Sequence, residues 1–199
     1  MIVKDFIQQH CAVLPLLFPI VETIGNGNNG ETYLLNDNTV LKVSVLMDWA
    51  KKGIDIREEY ANIWWILRQL KQDNPSHIVR LFDLGVLSCG QENRQPYTIY
   101  YYRMRRLFPL SEDESKVFQT VISHEDRHLI KHYEPNELDV VLKGLEKGLE
   151  FQSNKVKWFY QQIQSSKFKH LDLHQRNIMK TQDGDYRLVD LDHMVIRRQ

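Results

Sequence analysis

The spacing of apolar and polar side chains predicts a β-sheet in the first half of the chain. Residues 31–35 and 39–45 are β-rich runs on either side of a turn, which is the pattern of a β-hairpin. Between residues 55 and 70 the apolar side chains recur at helical spacing instead. We therefore expect a five-stranded sheet with one helix, preceded by a short amphipathic helix. The other segments behind this expectation are residues 2–14 for the first helix, and 76–83 and 96–102 for two more strands.

The second half of the chain has helical patterns followed by a short hairpin. Ser111 and Glu114 have the spacing of a capping box, in which each residue satisfies a backbone N–H of the other at a helix start. Residues 177–180 and 186–189 are β-rich and flank an Asp-Gly turn. Helices and short strands together predict an α+β fold. The other helical patterns span residues 135–150 and 154–164.

A glycine-rich segment precedes the first hairpin. Gly25, Gly27 and Gly30 have the G-x-G-x-x-G spacing, which lets a backbone approach phosphate groups closely because glycine has no Cβ. Dinucleotide-binding folds require a helix after this segment, whereas protein kinases require a hairpin, and here a hairpin follows. Taken alone, these glycines indicate no more than a flexible surface turn.

A lysine and a glutamate follow the glycine-rich segment at suggestive positions. Lys42 lies within the second strand of the hairpin, and Glu59 shares the apolar face of the following helix with Ile63 and Ile66. An ionised carboxylate on an apolar face requires a cationic partner, for which Lys42 is the natural candidate. Glu58 takes this place if the helical phase is shifted by one residue. Either glutamate would otherwise lie on a solvated helix face.

The most specific pattern lies near the end of the sequence. His170 and Asp172 form a His-x-Asp motif, Asn177 follows five residues after the aspartate, and Asp190 follows thirteen residues after Asn177. The short hairpin between Asn177 and Asp190 should bring these two residues together, and their oxygen atoms suit Mg²⁺. A metal-binding pair of His170 and His174 is the alternative, but the residues between them favour a loop over an exposed helix face.

In this order, the glycine-rich segment, the strand lysine, the helix glutamate and the His-x-Asp loop resemble the protein-kinase-like superfamily over residues 21–193. The resemblance implies a bilobal α+β fold that binds ATP and Mg²⁺ between its lobes. A small antiparallel-sheet lobe would span residues 1–102 and a reduced, mainly helical lobe residues 103–199, with residues 102–107 beside the adenine.

The resemblance also implies a role for each candidate residue. Asp172 would orient or deprotonate the acceptor hydroxyl, and Lys42, held by Glu59, would bind the phosphates of ATP. His170 would have a structural role in the loop. The remaining assignments are Gly25, Gly27 and Gly30 around the nucleotide phosphates, and Asn177, Asp190 and Asp192 as metal ligands.

The sequence departs from protein kinases in three places. Leu171 replaces an arginine that pairs with a phosphorylated activation loop, so control of that kind is not expected. His174 replaces the loop lysine, and Asp190-Leu191-Asp192 replaces Asp-Phe-Gly; both features resemble small-molecule phosphotransferases. His174 would then assist the transferring phosphoryl group. The sequence ends seven residues after Asp192, so we expect a shortened lobe with an open acceptor site.

The function that these features imply is ATP-dependent phosphorylation of a hydroxyl group. Serine or threonine of a protein is favoured slightly over a small molecule. A pseudokinase or regulatory module that binds nucleotide without turnover is the alternative from another class. Nucleotidyl transfer to a protein by the same scaffold is a third alternative.

Composition limits the partners. The 26 basic and 26 acidic residues balance, so bulk charge gives no reason to expect nucleic acid or an anionic membrane as a partner. The apolar stretch near residues 11–21 is interrupted by prolines and is too short to span a membrane. Two cysteines, Cys11 and Cys89, fit a reducing cytoplasm. The sequence indicates no oligomeric state.

Overall fold

The computed structural model of the protein has a mixed α+β fold with a five-stranded antiparallel sheet. Its residues group into two compact units. The first unit comprises Met1–Asn74 and Arg80–Arg106, and the second comprises Pro75–Val79 and Leu107–Gln199. The structure describes residues 3–11, 14–26, 30–47, 56–92, 95–122 and 132–196.

The first unit contains the predicted five-stranded sheet, although one of its strands does not span the predicted residues. Its order is β1-β2-β3-β5-β4, and every neighbouring pair is antiparallel. The turn between β2 and β3 places Asn38 in the left-handed region, at φ 61°, which asparagine tolerates better than most residues. The strands are β1 Ile20–Asn26, β2 Gly30–Leu35, β3 Thr39–Met47, β4 Leu81–Glu92 and β5 Gln95–Arg105.

Two helical segments pack on this sheet at its start, where one helix was predicted. Helix α1 spans Val3–His10, and α2 spans Leu14–Leu17. A single helix over residues 2–14 was wrong, because α1 ends at His10 and Leu14 begins a separate helix, which has Pro15 in its first turn, where a missing N–H is tolerated. Phe6 and Ile7 of α1 are buried in a core cluster with alternate residues of the sheet. The sheet residues of this cluster are Tyr33, Leu35, Leu41, Val43, Val45, Tyr97 and Ile99.

The third helix, α3, spans Ile56–Asp73 and confirms the predicted helix over residues 55–70, except that residue 55 lies outside the described part. It contacts β3, β4 and β5. Ile66, Leu67 and Leu70 are buried, as the helical spacing required. None of the described helices is long and apolar enough to cross a membrane.

In its described residues, the second unit contains three α-helices and two short β-ladders. Strand β6 pairs with β9, and β7 pairs with β8, each time antiparallel. Phe118 of the first of these helices lies edge-on to Phe159 and Tyr186, with ring centroids 5.5 and 4.7 Å away, which fixes that helix to the β7–β8 hairpin. The elements are α4 Glu112–Ile122, α5 Pro135–Leu145, α6 Ser153–Ser165, β6 Phe168–His170, β7 Ile178–Lys180, β8 Tyr186–Leu188 and β9 Met194–Ile196.

The predicted starts of the helices agree with the structure better than the predicted end of α5 does. The capping box of Ser111 and Glu114 is formed: the Ser111 N–H donates to Glu114 Oε2 at 2.7 Å, and the Glu114 N–H donates to Ser111 Oγ at 3.2 Å. Helix α5 ends at Leu145 rather than near residue 150. Glycines at 144 and 148 weaken the helix here.

One predicted strand was wrong, and the first unit ends a few residues later than the predicted small lobe. The segment 76–83 is not one strand, because residues up to Val79 belong to the second unit and β4 begins only at Leu81. The His77 carbonyl accepts the Leu188 N–H at 2.8 Å. The first unit also extends past residue 102 to Arg106, since β5 continues to Arg105 and pairs there with Thr39.

Candidate active site

Two loops of the second unit lie side by side. Residues 171–177 connect β6 to β7, and residues 189–193 connect β8 to β9. Because β6 pairs with β9 and β7 pairs with β8, the loops share one junction between the ladders. Backbone hydrogen bonds join the loops at both ends, from Leu171 N–H to the His193 carbonyl at 2.8 Å and from Val189 N–H to the Asn177 carbonyl at 2.9 Å.

His170 holds the two loops together through both ring nitrogens. Its Nδ1 accepts the Asp172 N–H at 3.2 Å, and its Nε2 lies 3.1 Å from the carbonyl oxygens of Val189 and Asp190. These contacts require a neutral ring with its proton on Nε2. Burial lowers the pKa of His170 and so favours the neutral form, although the two carbonyls and the Asp190 carboxylate act in the opposite direction. His170 therefore has the structural role that the sequence predicted.

Asp172 and His174 face each other across the first loop. His174 Nδ1 accepts the Arg176 N–H at 3.1 Å, which leaves Nε2 on the side of Asp172, 3.5 Å from Asp172 Oδ2. The Asp172 side chain is 45% exposed and that of His174 is 36% exposed. A carboxylate with this exposure is accessible to an incoming hydroxyl group.

Asn177 is buried and oriented by the same loop. It ends a short 3₁₀ turn, Gln175–Asn177. Its Nδ2 donates to the Asp172 carbonyl at 2.8 Å and lies 3.3 Å from His174 Nε2. The amide nitrogen is therefore engaged within the loop, so the amide oxygen is the atom that Asn177 can offer to a cation.

Asp190 has an unusual backbone conformation. Its φ and ψ of 59° and 57° lie in the left-handed region, which is uncommon for residues other than glycine, asparagine and aspartate. Such conformations cost roughly 1–3 kcal/mol and persist where the surroundings enforce them, frequently at functional sites. Here His170 contacts the Asp190 carbonyl, and a 3₁₀ turn, Leu191–His193, follows at once. Asp192 lies in that turn and is partly buried.

His193 belongs to this site and was missed by sequence reasoning. Its Nε2 lies 3.8 Å from Asp190 Oδ2, and its ring centroid is 6.3 Å from that of His170. Its spacing of three residues from Asp190 was the signal available in the sequence, whereas its closeness to His170 required knowledge of the β6–β9 register.

The residue types predicted as metal ligands suit a magnesium ion. Among the described residues, no group of three or more His, Cys, Asp or Glu side chains could hold a metal ion by itself. Mg²⁺ does not need such a group, since it commonly takes one or two protein carboxylates and completes its shell with water and phosphate oxygens. Asn177, Asp190 and Asp192 would supply only oxygen atoms, which agrees with that preference.

The candidate nucleotide residues of the first unit lie on separate elements. Lys42 on β3 is partly buried, is registered opposite Thr32 and Tyr102, and has its Nζ 5.8 Å from the centre of the Tyr102 ring. Glu59 on α3 is partly buried whereas Glu58 is exposed, so the helical phase favours Glu59. The pairing of Glu59 with Lys42 stays a prediction.

The glycines of the glycine-rich segment differ in how much space a side chain would have at each position. A Cβ on Gly30 would lie 2.2 Å from the Val43 carbonyl oxygen, so close approach of β3 requires glycine there. A Cβ on Gly25 would meet Thr32 only at an ordinary 3.6 Å, and no steric demand explains that glycine. Gly27 lies outside the described residues.

Comparison of the sequence with protein-family models and with curated proteins finds no match. The function must therefore be argued from the residues and contacts of this chain.

Proposed function

We propose that the protein is an ATP- and Mg²⁺-dependent kinase, with a bilobal protein-kinase-like fold, that transfers the γ-phosphoryl group to a hydroxyl group. The observation that supports this most is the junction held by His170. There a half-exposed Asp172 lies beside His174, while Asn177 is bonded to the backbone just before Asp190. These residues also follow the order and spacing of a kinase catalytic loop.

Asp172 acts on the acceptor in this proposal. Phosphoryl transfer asks little covalent chemistry of the protein, so positioning the acceptor hydroxyl and receiving its proton are the main tasks. The Asp172 backbone is held by two contacts, one to His170 and one to Asn177, which leaves the carboxylate positioned but exposed. His174 Nε2 faces the same carboxylate and can contact an anionic phosphoryl group nearby.

Asn177, Asp190 and Asp192 would hold the metal. Mg²⁺, when bound, neutralises charge on the phosphates of ATP. The enforced backbone of Asp190 serves this role, because a preset carboxylate loses less entropy when it binds a cation.

Lys42 would bind the nucleotide phosphates, with Glu59 as its partner and Gly25, Gly27 and Gly30 near the phosphates. A lysine on a central strand is held by its neighbours on both sides, which suits a fixed phosphate contact. We favour serine or threonine of a protein, the protein itself included, as the acceptor.

A small-molecule phosphotransferase is the second candidate. It is favoured by His174 and Asp192, which stand where protein kinases have other residues and small-molecule phosphotransferases have these. A binding module without turnover is less favoured, because such a module has no physical need for Lys42, Asp172 and Asp190 together.

The test is a labelling experiment with two forms of ATP. The protein is incubated with Mg²⁺ and either γ-labelled or α-labelled ATP, with a mixture of proteins and separately with small hydroxyl compounds, and products are measured by intact mass. Label from γ-ATP alone supports a kinase, and label from α-ATP indicates nucleotidyl transfer. ATP binding with no transfer to any acceptor would reject the kinase proposal and favour the binding module. Asp172→Asn serves as the matched control.

A further inference from the structure

Glu114 makes contacts that a helix cap does not require. Its Oε2 accepts the Ser111 N–H and the Lys180 Nζ, both at 2.7 Å, and its Oε1 accepts the Tyr186 hydroxyl at 3.0 Å. Only the first of these belongs to the capping box of α4. The other two come from β7 and β8, the strands of the hairpin that begins next to Asn177 and leads to Asp190.

The Glu114 carboxylate is buried but well satisfied. The residue is 9% exposed. Burial raises the pKa of Glu114, but the bonds from Lys180, Ser111 and Tyr186 outweigh burial and hold that pKa below its usual range. The carboxylate is therefore ionised at neutral pH. A buried charge with matched donors fixes geometry strongly, since each donor loses a charged acceptor if Glu114 is changed.

The hairpin is too short to set its own orientation. Its strands β7 and β8 have three residues each, and an isolated two-stranded hairpin is marginally stable at best. Lys180 and Tyr186 are direct partners across it, so Glu114 contacts both strands at one rung. Phe108 adds backbone bonds to Lys180 in both directions, at 2.7 and 2.9 Å. Helix α4 also contacts the 3₁₀ turn that ends in Asn177.

We infer that Glu114 is a positioning residue, which through Lys180 and Tyr186 sets the orientation of the β7–β8 hairpin and thereby of Asn177 and Asp190. The metal role of those two residues rests on the proposed function, but their positioning by Glu114 does not. A structural ion pair would affect only stability. A positioning residue affects the Asn177 side chain and the affinity for metal as well.

The test uses Glu114→Gln, which keeps the shape of the side chain and removes its charge. Lys180→Met removes the partner. The matched control is Asp139→Asn, which removes the charge from another ion pair of the same unit. In that pair, Lys157 Nζ of α6 lies 2.7 Å from Asp139 Oδ1 of α5. Melting curves of all three variants, measured first, give the loss of stability.

The first readout does not depend on activity or on metal. The Asn177 side-chain Nδ2 donates to the Asp172 carbonyl, and asparagine-selective ¹⁵N labelling reports its NMR signal. The variant Asn177→Asp, which lacks this amide, identifies the signal. We expect Glu114→Gln and Lys180→Met to shift this signal, the double variant to shift it no further, and Asp139→Asn to leave it unchanged. An unchanged Asn177 signal in folded Glu114→Gln protein would overturn the inference.

The second readout is the affinity for Mn²⁺ with ATP, measured by electron paramagnetic resonance. We expect Glu114→Gln to weaken it by about three- to tenfold, at or below the usual effect of residues that orient metal ligands. The control should stay within about twofold. A shifted Asn177 signal with unchanged Mn²⁺ affinity would reject Asn177 as a ligand and keep the positioning role. If the native protein bound no Mn²⁺ with ATP, the proposed function would fail, and the first readout would still decide the inference.

Discussion

The candidate residues of the second unit are joined by hydrogen bonds, whereas those of the first unit are distributed over a sheet and a helix. In the second unit, one series of contacts runs from Asn177 through Asp172 to His170 and on to Asp190. The first unit places Gly25 on β1, Gly30 on β2, Lys42 on β3 and Glu59 on α3.

The two units therefore differ in what determines the positions of their candidate side chains. In a loop whose polar groups hydrogen-bond one another, a few neighbouring residues determine those positions. A sheet positions a side chain through register with distant strands, so the same precision depends on the whole unit. We therefore expect substitutions in the loops to act on chemistry at constant fold, and substitutions in the sheet to act on binding.

The largest effect is expected at Asp190. Asparagine tolerates the left-handed backbone, so Asp190→Asn removes the charge without unfolding the protein. It should lower the rate of turnover by about a thousandfold or more, about 4 kcal/mol of barrier. Asp192→Asn should cost less. Rates of phosphoryl transfer at saturating Mg²⁺ measure both. Equal collapse of the two would indicate a small-molecule type of site, and an active Asp190→Asn enzyme would refute the metal assignment.

Asp172→Asn should follow in size. In the proposed function the residue would orient the acceptor and accept its proton, so its loss should lower transfer by roughly a hundredfold, about 3 kcal/mol of barrier, while ATP affinity stays within a small factor. Calorimetry for ATP and single-turnover kinetics separate these quantities. Transfer at the native rate by a folded variant would show that Asp172 is not the base.

His77 tests the assignment of residues 75–79 to the second unit. Burial, and next the nearby Arg187, lower the pKa of His77 from 6.5 to about 4. The folded state thus binds the proton less readily than the unfolded state, so stability is retained above the unfolded pKa and is lost as the pH falls toward the folded pKa. Between about pH 7 and pH 5 this should cost about 2 kcal/mol.

Chemical denaturation of native protein and His77→Leu at several pH values measures that cost. The variant should lose this part of the pH dependence, because it has no group to protonate. An identical pH dependence in both proteins would contradict the burial of His77.

The smallest effect is expected at Lys42. Lys42→Met keeps the apolar stem and removes the charge, so it should weaken ATP binding by about tenfold, about 1.4 kcal/mol, while melting without ATP changes little. Glu59→Gln should weaken binding less. Titration calorimetry with Mg²⁺ and ATP gives both values. Unchanged affinity in Lys42→Met would remove the first unit from the nucleotide site.

The sequence predicted elements well where one local rule decided them. The hairpin of β2 and β3 followed from strand pattern and turn residues, and the capping box of Ser111 and Glu114 formed as its spacing required. The strand over 76–83 failed because alternation cannot show which partner a backbone bonds. The contacts of Glu114 to Lys180 and Tyr186 were equally invisible, since residues far apart in sequence meet only through the fold.

The bridge between Ile78 and Leu188 has a consequence for the order of folding. The two residues lie 110 positions apart in the chain, and Ile78 stands between two segments that belong to the first unit. Closing so large a loop costs conformational entropy before the contacts that stabilise it can form, and contacts of this kind slow folding. We therefore expect the sheet to form as soon as β5 is available, and the β7–β8 hairpin to complete last. During synthesis on the ribosome, the five-stranded sheet would therefore fold before the candidate site of the second unit is complete.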